Sequence, residues 1–199
     1  MPQINFAEKE IACKLVYYGP GFSGKTTNLQ YINRRLSPSR RSELISIATE
    51  GDRTLFFDFL PLKAMVINDF TIRFQVYTTP GQQYYNATRK LVLRGVDGIV
   101  FVADSQWSRQ KDNIESFRNM MDNLEENELS LLDIPYVLQY NKRDLPDIAG
   151  VEYMDFLLNR RPRRVPRFES IATEGKGVFD TLNEISRLVI TKLLKESIV

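Results

Sequence analysis

The chain has 199 residues, 43% hydrophobic and 26% charged, which fits one ordinary soluble globular domain and gives no reason to divide it. Its 27 basic and 25 acidic side chains leave a net charge of +2, so bulk electrostatics does not point to nucleic acid as a partner. Histidine is absent and cysteine occurs once, which removes histidine-based triads, most zinc sites and any internal disulfide, and makes a reducing cytosol the natural compartment.

The opening stretch Met1 to Phe6 lacks the charged and apolar blocks of a signal peptide, and no segment reaches a bilayer-spanning apolar length. Pro2 stands where a myristoyl group needs glycine, and Lys195 to Val199 carries no prenylatable cysteine, so membrane contact is expected only through partners. The first apolar run, Ile11 to Tyr18, reads as a strand with Cys13 as a small buried hydrophobe. It leads into Gly19-Pro20-Gly21-Phe22-Ser23-Gly24-Lys25-Thr26, where two glycines separated by four residues are followed by Lys and Thr. Such glycines let successive N–H groups curl around anionic oxygens, the following helix points its positive end at the phosphates, and the lysine neutralises the outer ones. Thr26 is then placed to ligate Mg²⁺, and the octet marks a nucleotide binder.

Farther along, Thr71 to Tyr77 alternates as a half-exposed strand does, whereas Gly98 to Ala103 is continuously apolar, as a central buried strand is. Ile114, Phe117, Met121 and Leu124 recur at three- and four-residue steps and predict a helix with one face on the sheet. Tyr136 to Tyr140 reads as another strand, and Leu182, Ile185, Val189 and Leu193 give a second amphipathic helix. The stretches between the strands carry a period near 3.6, so the pattern is α/β, a doubly wound sheet with its ligand at the strand C-termini. The basic clusters Arg34-Arg35, Arg40-Arg41 and Arg160-Arg161 with Arg163, Arg164 and Arg167 are read as solvated surface, or alternatively as contacts for an acidic partner or an anionic membrane face.

Asn141-Lys142-Arg143-Asp144 follows the strand Tyr136 to Tyr140 and emerges beside the phosphate site. The Asp144 carboxylate is suited to accept from the N1–H and exocyclic amine of guanine, whereas adenine has no donors in that arrangement. A site that pairs polar groups in this way discriminates by about 10⁴ or more. Asn141 would tie loops together, and the stem of Lys142 would cover the base.

On these two motifs, with Thr49 to Pro61, Tyr77 to Gln82 and Gly95 to Ser105, the chain resembles small Ras-like GTPases over nearly its whole length. More specifically, it resembles the bacterial MglA family of cell-polarity and motility switches. The resemblance implies a Ras-like P-loop GTPase fold: a six-stranded, mostly parallel sheet flanked by five helices, in one G domain over residues 1–199, with an extra N-terminal strand around Ile4 to Phe6. The implied cofactors are GTP or GDP and Mg²⁺. The nucleotide would be held by Gly19, Gly21, Phe22, Ser23, Gly24, Lys25, Thr26, Thr27, Asn141, Lys142 and Asp144, and the metal by Thr26 and Thr54.

By the same resemblance, Thr54 matches the switch threonine at Mg²⁺ and the γ-phosphate, and Gly81 the second-switch glycine whose N–H senses that phosphate. Loss of the γ-phosphate would release both. Gln82 matches the residue that orients the attacking water, and Arg53 the intrinsic arginine finger of MglA proteins. Ala172, in Ala172-Thr173-Glu174, matches the residue whose amide donates to the guanine oxygen. Thr78 stands where the wider Ras pattern has Asp. MglA-type proteins share this threonine, but a hydroxyl makes the weaker water contact to Mg²⁺, which Asp52 or Asp58 would assist.

The implied function is a GTP-hydrolysing switch, slow without a regulator, that controls cell polarity and motility such as gliding and type IV pili. Its implied partners are a homodimeric roadblock-fold regulator of the MglB type and GTP-state effectors that recruit it from the cytoplasm to cell poles or motility complexes. The alternative, motivated by Thr78, is a slowly or non-hydrolysing guanine-nucleotide-binding module that acts as an interaction scaffold. A metabolic P-loop kinase fits less well, because it has no use for Asn141-Lys142-x-Asp144 or Thr78 to Gln82.

Overall fold

The first apolar run forms the strand around which the sheet is assembled. A computed structural model describes residues 2–36, 45–49, 53–67, 69–81, 85–160 and 164–196, and describes the backbone alone at 45–49, 53–61, 63–65 and 67. The elements in chain order are β1 (Gln3–Asn5), β2 (Glu10–Tyr18), α1 (Lys25–Arg35), β3 (Ile45–Thr49), β4 (Arg53–Ile67), β5 (Phe70–Thr78), α2 (Asn86–Leu93) and β6 (Gly98–Asp104). There follow a 3-10 turn (Trp107–Arg109), α3 (Gln110–Glu125), β7 (Tyr136–Asn141), α4 (Val151–Leu158), β8 (Arg167–Glu169) and α5 (Val178–Glu196).

The strand order is β3-β4-β5-β2-β6-β7-β8. From β5 to β8 every pairing is parallel, while β4 joins β5 and β3 joins β4 antiparallel. The path from β4 to β8 is the expected six-stranded, mostly parallel sheet, and the five described helices flank it. The extra N-terminal strand is present as β1, which pairs Gln3 to Asn5 with Ala12 to Glu10. It finds an open edge because β6 begins pairing with β2 only at Leu15, while β5 occupies the other edge from Glu10 onward.

Alternation along β2 sorts the core into two layers. Cys13, Leu15 and Tyr17 pack with Leu29 and Ile32 of α1 and with Leu182, Ile185, Val189 and Leu193 of α5, the face read from the sequence. Val16 and Tyr18 point the other way, toward Val92 and Leu93 of α2, Phe117 and Met120 of α3, and Met154 of α4. Each such side chain taken fully out of water contributes about 1.5–3 kcal/mol, so both layers hold the sheet firmly. On α3 the buried face is centred on Phe117, Met120 and Leu124, with Ile114 and Met121 at its flanks. The rotation follows from two buried asparagines: Asn113 accepts from the Asp104 N–H at 3.0 Å, and Asn123 donates to Tyr18 Oη at 3.1 Å.

Two features depart from the sequence reading. The stretch between Tyr18 and Thr71, read as carrying a helical period, holds the antiparallel pair β3 and β4 after α1, and the short charged β8 closes the other edge. β4 pairs with β3 only from Arg53 to Phe59 and continues alone against β5 to Ile67, so Pro61 lies where β4 has become an edge strand, a place that tolerates proline.

Candidate nucleotide-binding site

Because β2, β5, β6, β7 and β8 run parallel, the loops that follow them gather at one edge of the sheet. β2 ends at Tyr18, and the chain reverses through Gly19 at φ +146° and Gly24 at φ +99° before α1 begins. A β-carbon at Gly19 would overlap the Val102 carbonyl oxygen, and one at Gly24 would overlap Asn141 Nδ2, so both glycines are required twice over. Gly24 offers α1 no capping side chain and the first turn holds no acidic residue, so the helix presents its positive end to an anion. Lys25 is buried, its ammonium donating to the Gly19 carbonyl at 2.9 Å and the Pro20 carbonyl at 2.7 Å. These bonds hold the cation along the loop.

The end of β7 is sewn to this loop by one side chain. Asn141, buried, donates from Nδ2 to the Ser23 carbonyl at 2.8 Å. Its Oδ1 accepts from Ser170 Oγ and from the Ala172 N–H, both at 3.0 Å. Three loops far apart in sequence thus meet at one amide, as the sequence reading expected of Asn141. The Ala172 amide, matched by resemblance to the guanine oxygen, has Asn141 as its partner here.

Lys142 takes φ +67° and sends its ammonium to Asp104 Oδ2 at 2.7 Å, a carboxylate wholly buried at the end of β6. Arg143 braces the turn through Glu169 at 2.9 Å and the Ala149 carbonyl at 2.7 Å. Asp144 is left exposed, facing a cleft of about 240 Å³ lined by Phe22, Thr27, Lys142, Ala172 and Thr173.

Beyond β5, the Thr79 N–H donates to the Tyr17 carbonyl at 3.1 Å, which leads Gly81 onto the phosphate loop. A β-carbon on Gly81 would overlap the backbone of Gly21, whereas one on Gly21 would meet the Gly81 carbonyl oxygen at an ordinary 3.6 Å. The contact therefore demands glycine on the Gly81 side. Thr78 is wholly buried at the end of β5.

Residues 14–191 match the Ras family, and the chain is 54% identical over 195 residues to the mutual gliding-motility protein MglA of Myxococcus xanthus, covering 98% of this chain and 99% of that protein. The chain belongs to the Ras family, and within it to the MglA type. It is more distantly similar to the Ypt/Rab-type GTPase avaA of Emericella nidulans, 24% identical over 191 residues, with 94% of this chain and 86% of that protein covered. Ras-family GTPases generally bind GTP or GDP with Mg²⁺.

In this MglA-type chain the phosphate-loop residues, Gly81, Asn141, Lys142, Asp144 and Ala172 come together at one edge. Arg53 and Thr54 lie in β4, their backbones paired with Thr49 and Ala48 of β3. Gln82 and Asp52 lie outside the described residues, and Asp58 is described by backbone alone, opposite Ser46. Among the described residues no cluster of three metal-binding carboxylate or thiol groups exists, and the Thr26 hydroxyl and the oxygens of a bound phosphate are hard oxygen donors. Hard oxygen donors of that kind suit Mg²⁺.

Two contributors were not singled out from the sequence. Asp104 orients Lys142, and its signal is a carboxylate at the very end of a continuously apolar strand. Asn28 on α1 and Gln139 on β7 form a reciprocal buried amide pair at 2.9 and 3.0 Å, extended to Thr181 on α5 at 3.0 Å, for which no local pattern exists.

The basic clusters divide. Arg34 and Arg35 end α1, where they suit the helix dipole, Arg167 pairs with Asp155 at 2.8 Å, and Arg160 lies over the Phe156 ring at 4.4 Å. Arg40, Arg41, Arg161 and Arg163 lie outside the described residues. No described helix is long and apolar enough to cross a membrane.

Proposed function

We propose that the chain is a GTP-hydrolysing switch of the MglA type, built as one G domain. The observation that carries this reading is Asn141, whose amide joins the phosphate loop to the loops after β7 and β8, so that phosphate and guanine contacts are held in fixed relation.

In this reading the amides from Gly21 to Thr26 and the Lys25 ammonium hold the phosphates, Asp144 accepts from guanine, and Lys142 lays its stem along the base while Asp104 holds its head. Thr54 and the Gly81 amide sense the γ-phosphate, and its departure frees them to change place. Gln82 orients the attacking water, and Arg53 stabilises charge that develops in transfer. When bound, Mg²⁺ would be held by Thr26 and Thr54 and would neutralise phosphate charge.

Hydrolysis is slow until a homodimeric roadblock-fold regulator of the MglB type engages the switch residues. Effectors of polarity or gliding and pilus motility then read the GTP form, and they recruit the chain from the cytoplasm to cell poles. The motility role follows the relative from Myxococcus xanthus, a mutual gliding-motility protein.

A second reading is favoured by Thr78, which is wholly buried and neutral where a carboxylate would steady the metal. In it the chain binds guanine nucleotide as a scaffold and hydrolyses it slowly or not at all. Analysis of co-purified nucleotide, followed by phosphate release from GTP-loaded protein with and without the regulator, separates the two. Accelerated release supports the switch, and none under either condition supports the scaffold.

A further inference from the structure

We infer that Arg109 is a positioning residue of the phosphate loop: it holds the Gly21 carbonyl turned away from the nucleotide and so aims the Phe22 N–H at the phosphates. The inference rests on the reading of Gly19 to Thr26 as the phosphate site. Arg109 ends the 3-10 turn after β6, and its Nη2 donates to the Gly21 carbonyl at 2.8 Å, across 88 positions of sequence. Nη1 is held by Asp112 at 2.6 Å, and Nε lies 4.0 Å from Asp104 Oδ2, the oxygen that also takes Lys142. The planar guanidinium is thereby fixed before it reaches the loop, and a donor that is both charged and preorganised loses little on forming the bond.

In a planar trans peptide the C=O and N–H point in opposite directions. Fastening the Gly21 oxygen on the α3 side therefore leaves the Phe22 N–H of the same peptide directed away from Arg109. Phe22 supplies the second observation. It takes φ +63°, a left-handed conformation that is strained for a bulky residue and persists only where its surroundings impose it. Without Arg109, the Gly21–Phe22 peptide is able to rotate, relieve that strain and turn a carbonyl oxygen toward the phosphates. One buried carboxylate, Asp104, thus lies beside the cation that braces the phosphate loop and the cation that covers the base.

The test compares wild type, Arg109→Met, which keeps the length and loses the donor, and Arg109→Lys, which keeps a charged donor. Asp112→Asn, which removes the brace and leaves Arg109 in place, serves if the Met variant does not fold. Each is loaded with GDP and Mg²⁺, and three quantities are read: the release rate of a fluorescent GDP, the melting temperature of the nucleotide-free protein, and the Phe22 amide proton resonance. A proton directed at an anionic oxygen resonates far downfield.

Loss of one charge-assisted bond predicts release faster by about tenfold or more in Arg109→Met, a Phe22 proton returned to the ordinary amide range, cooperative nucleotide-free melting at a somewhat lower temperature, and substantial recovery by Arg109→Lys. Asp112→Asn is expected to move the same proton part-way. An unmoved Phe22 proton in Arg109→Met overturns the inference, whatever the release rate does. Failure of the wild type itself to bind GDP rejects instead the reading of the phosphate site.

Discussion

The phosphate loop and the turn from Asn141 to Asp144 are tied through the centre of the sheet, whereas Arg53 and Thr54 ride on β4, in a part of the strand paired to β3 at the sheet's margin. On the first side, Asn141 reaches Ser23 across 118 positions and Gln139 reaches Asn28 across 111. On the second side the backbone is held by an antiparallel ladder in a hairpin, with a register irregularity between Ser46 and Ala48. Buried amide networks in a low-dielectric core resist opening, while a marginal ladder opens and re-forms at lower cost. On the proposed reading, nucleotide binding and nucleotide sensing rest on different supports, so substitutions should separate them.

The largest effect is expected at the base. Asp144→Asn should lower guanine affinity by about 10⁴, because the amide presents a donor where guanine also donates, and should admit xanthine nucleotides. Titration with GDP and XDP checks this, and unchanged GDP affinity removes Asp144 from base reading. On the other side, Arg53→Ala and Gln82→Ala should each cost about 10³ to 10⁵ in regulator-stimulated turnover with GTP affinity nearly unchanged. A matched loss of affinity would mean that binding and turnover share one support after all.

Asn141→Ala should reach across the divide from within. It strips partners from the Ser23 carbonyl, the Ser170 hydroxyl and the Ala172 N–H, at about 0.5–1.5 kcal/mol each, so both thermal stability and nucleotide affinity should fall. Full retention of both by calorimetry would show the cross-tie to be idle. A smaller effect distinguishes the two glycines in contact: Gly21→Ala should be tolerated, while Gly81→Ala forces the loop after β5 off the phosphate loop and weakens GTP over GDP binding. Equal behaviour of the two variants in competition binding would contradict the packing.

The smallest effect concerns pH. Burial pushes the Cys13 thiol up to about 12 and the Tyr18 hydroxyl up to about 12, and raises Tyr17 and Tyr140 as well. In the unfolded chain these groups lose protons first, from near 9.0 for Cys and 10.0 for Tyr, so their contribution to stability is intact below pH 9 and declines as pH rises through that range. Denaturant midpoints between pH 7 and 11 should fall accordingly, and thiol reagents at pH 8 should label Cys13 only on unfolding.

What was legible in the sequence was local. The octet from Gly19 to Thr26 declares itself because its glycines, lysine and threonine act through adjacent backbone, and Asn141 to Asp144 because an apolar strand precedes it. The α5 face was legible because all four of its spaced apolar residues are buried. The turn of α3 toward Met120 was not, since it depends on Asn113 and Asn123 finding partners on β6 and β2. β3 and β4 were missed because strand pairing is decided by a neighbour rather than by the period of the run itself. Asp104 shows in the sequence only as a carboxylate that ends an apolar strand, and Arg109 matters only through contacts across the fold, so no spacing announces it.

The most direct test is single-turnover phosphate release from the GTP-loaded chain, with and without the homodimeric roadblock-fold regulator, in wild type and Arg53→Ala. Slow release from wild type alone, acceleration by the regulator, and loss of that acceleration in Arg53→Ala at unchanged GTP affinity are the expected results. Tight GTP binding with no phosphate release under any of these conditions would contradict the switch and leave a guanine-nucleotide scaffold.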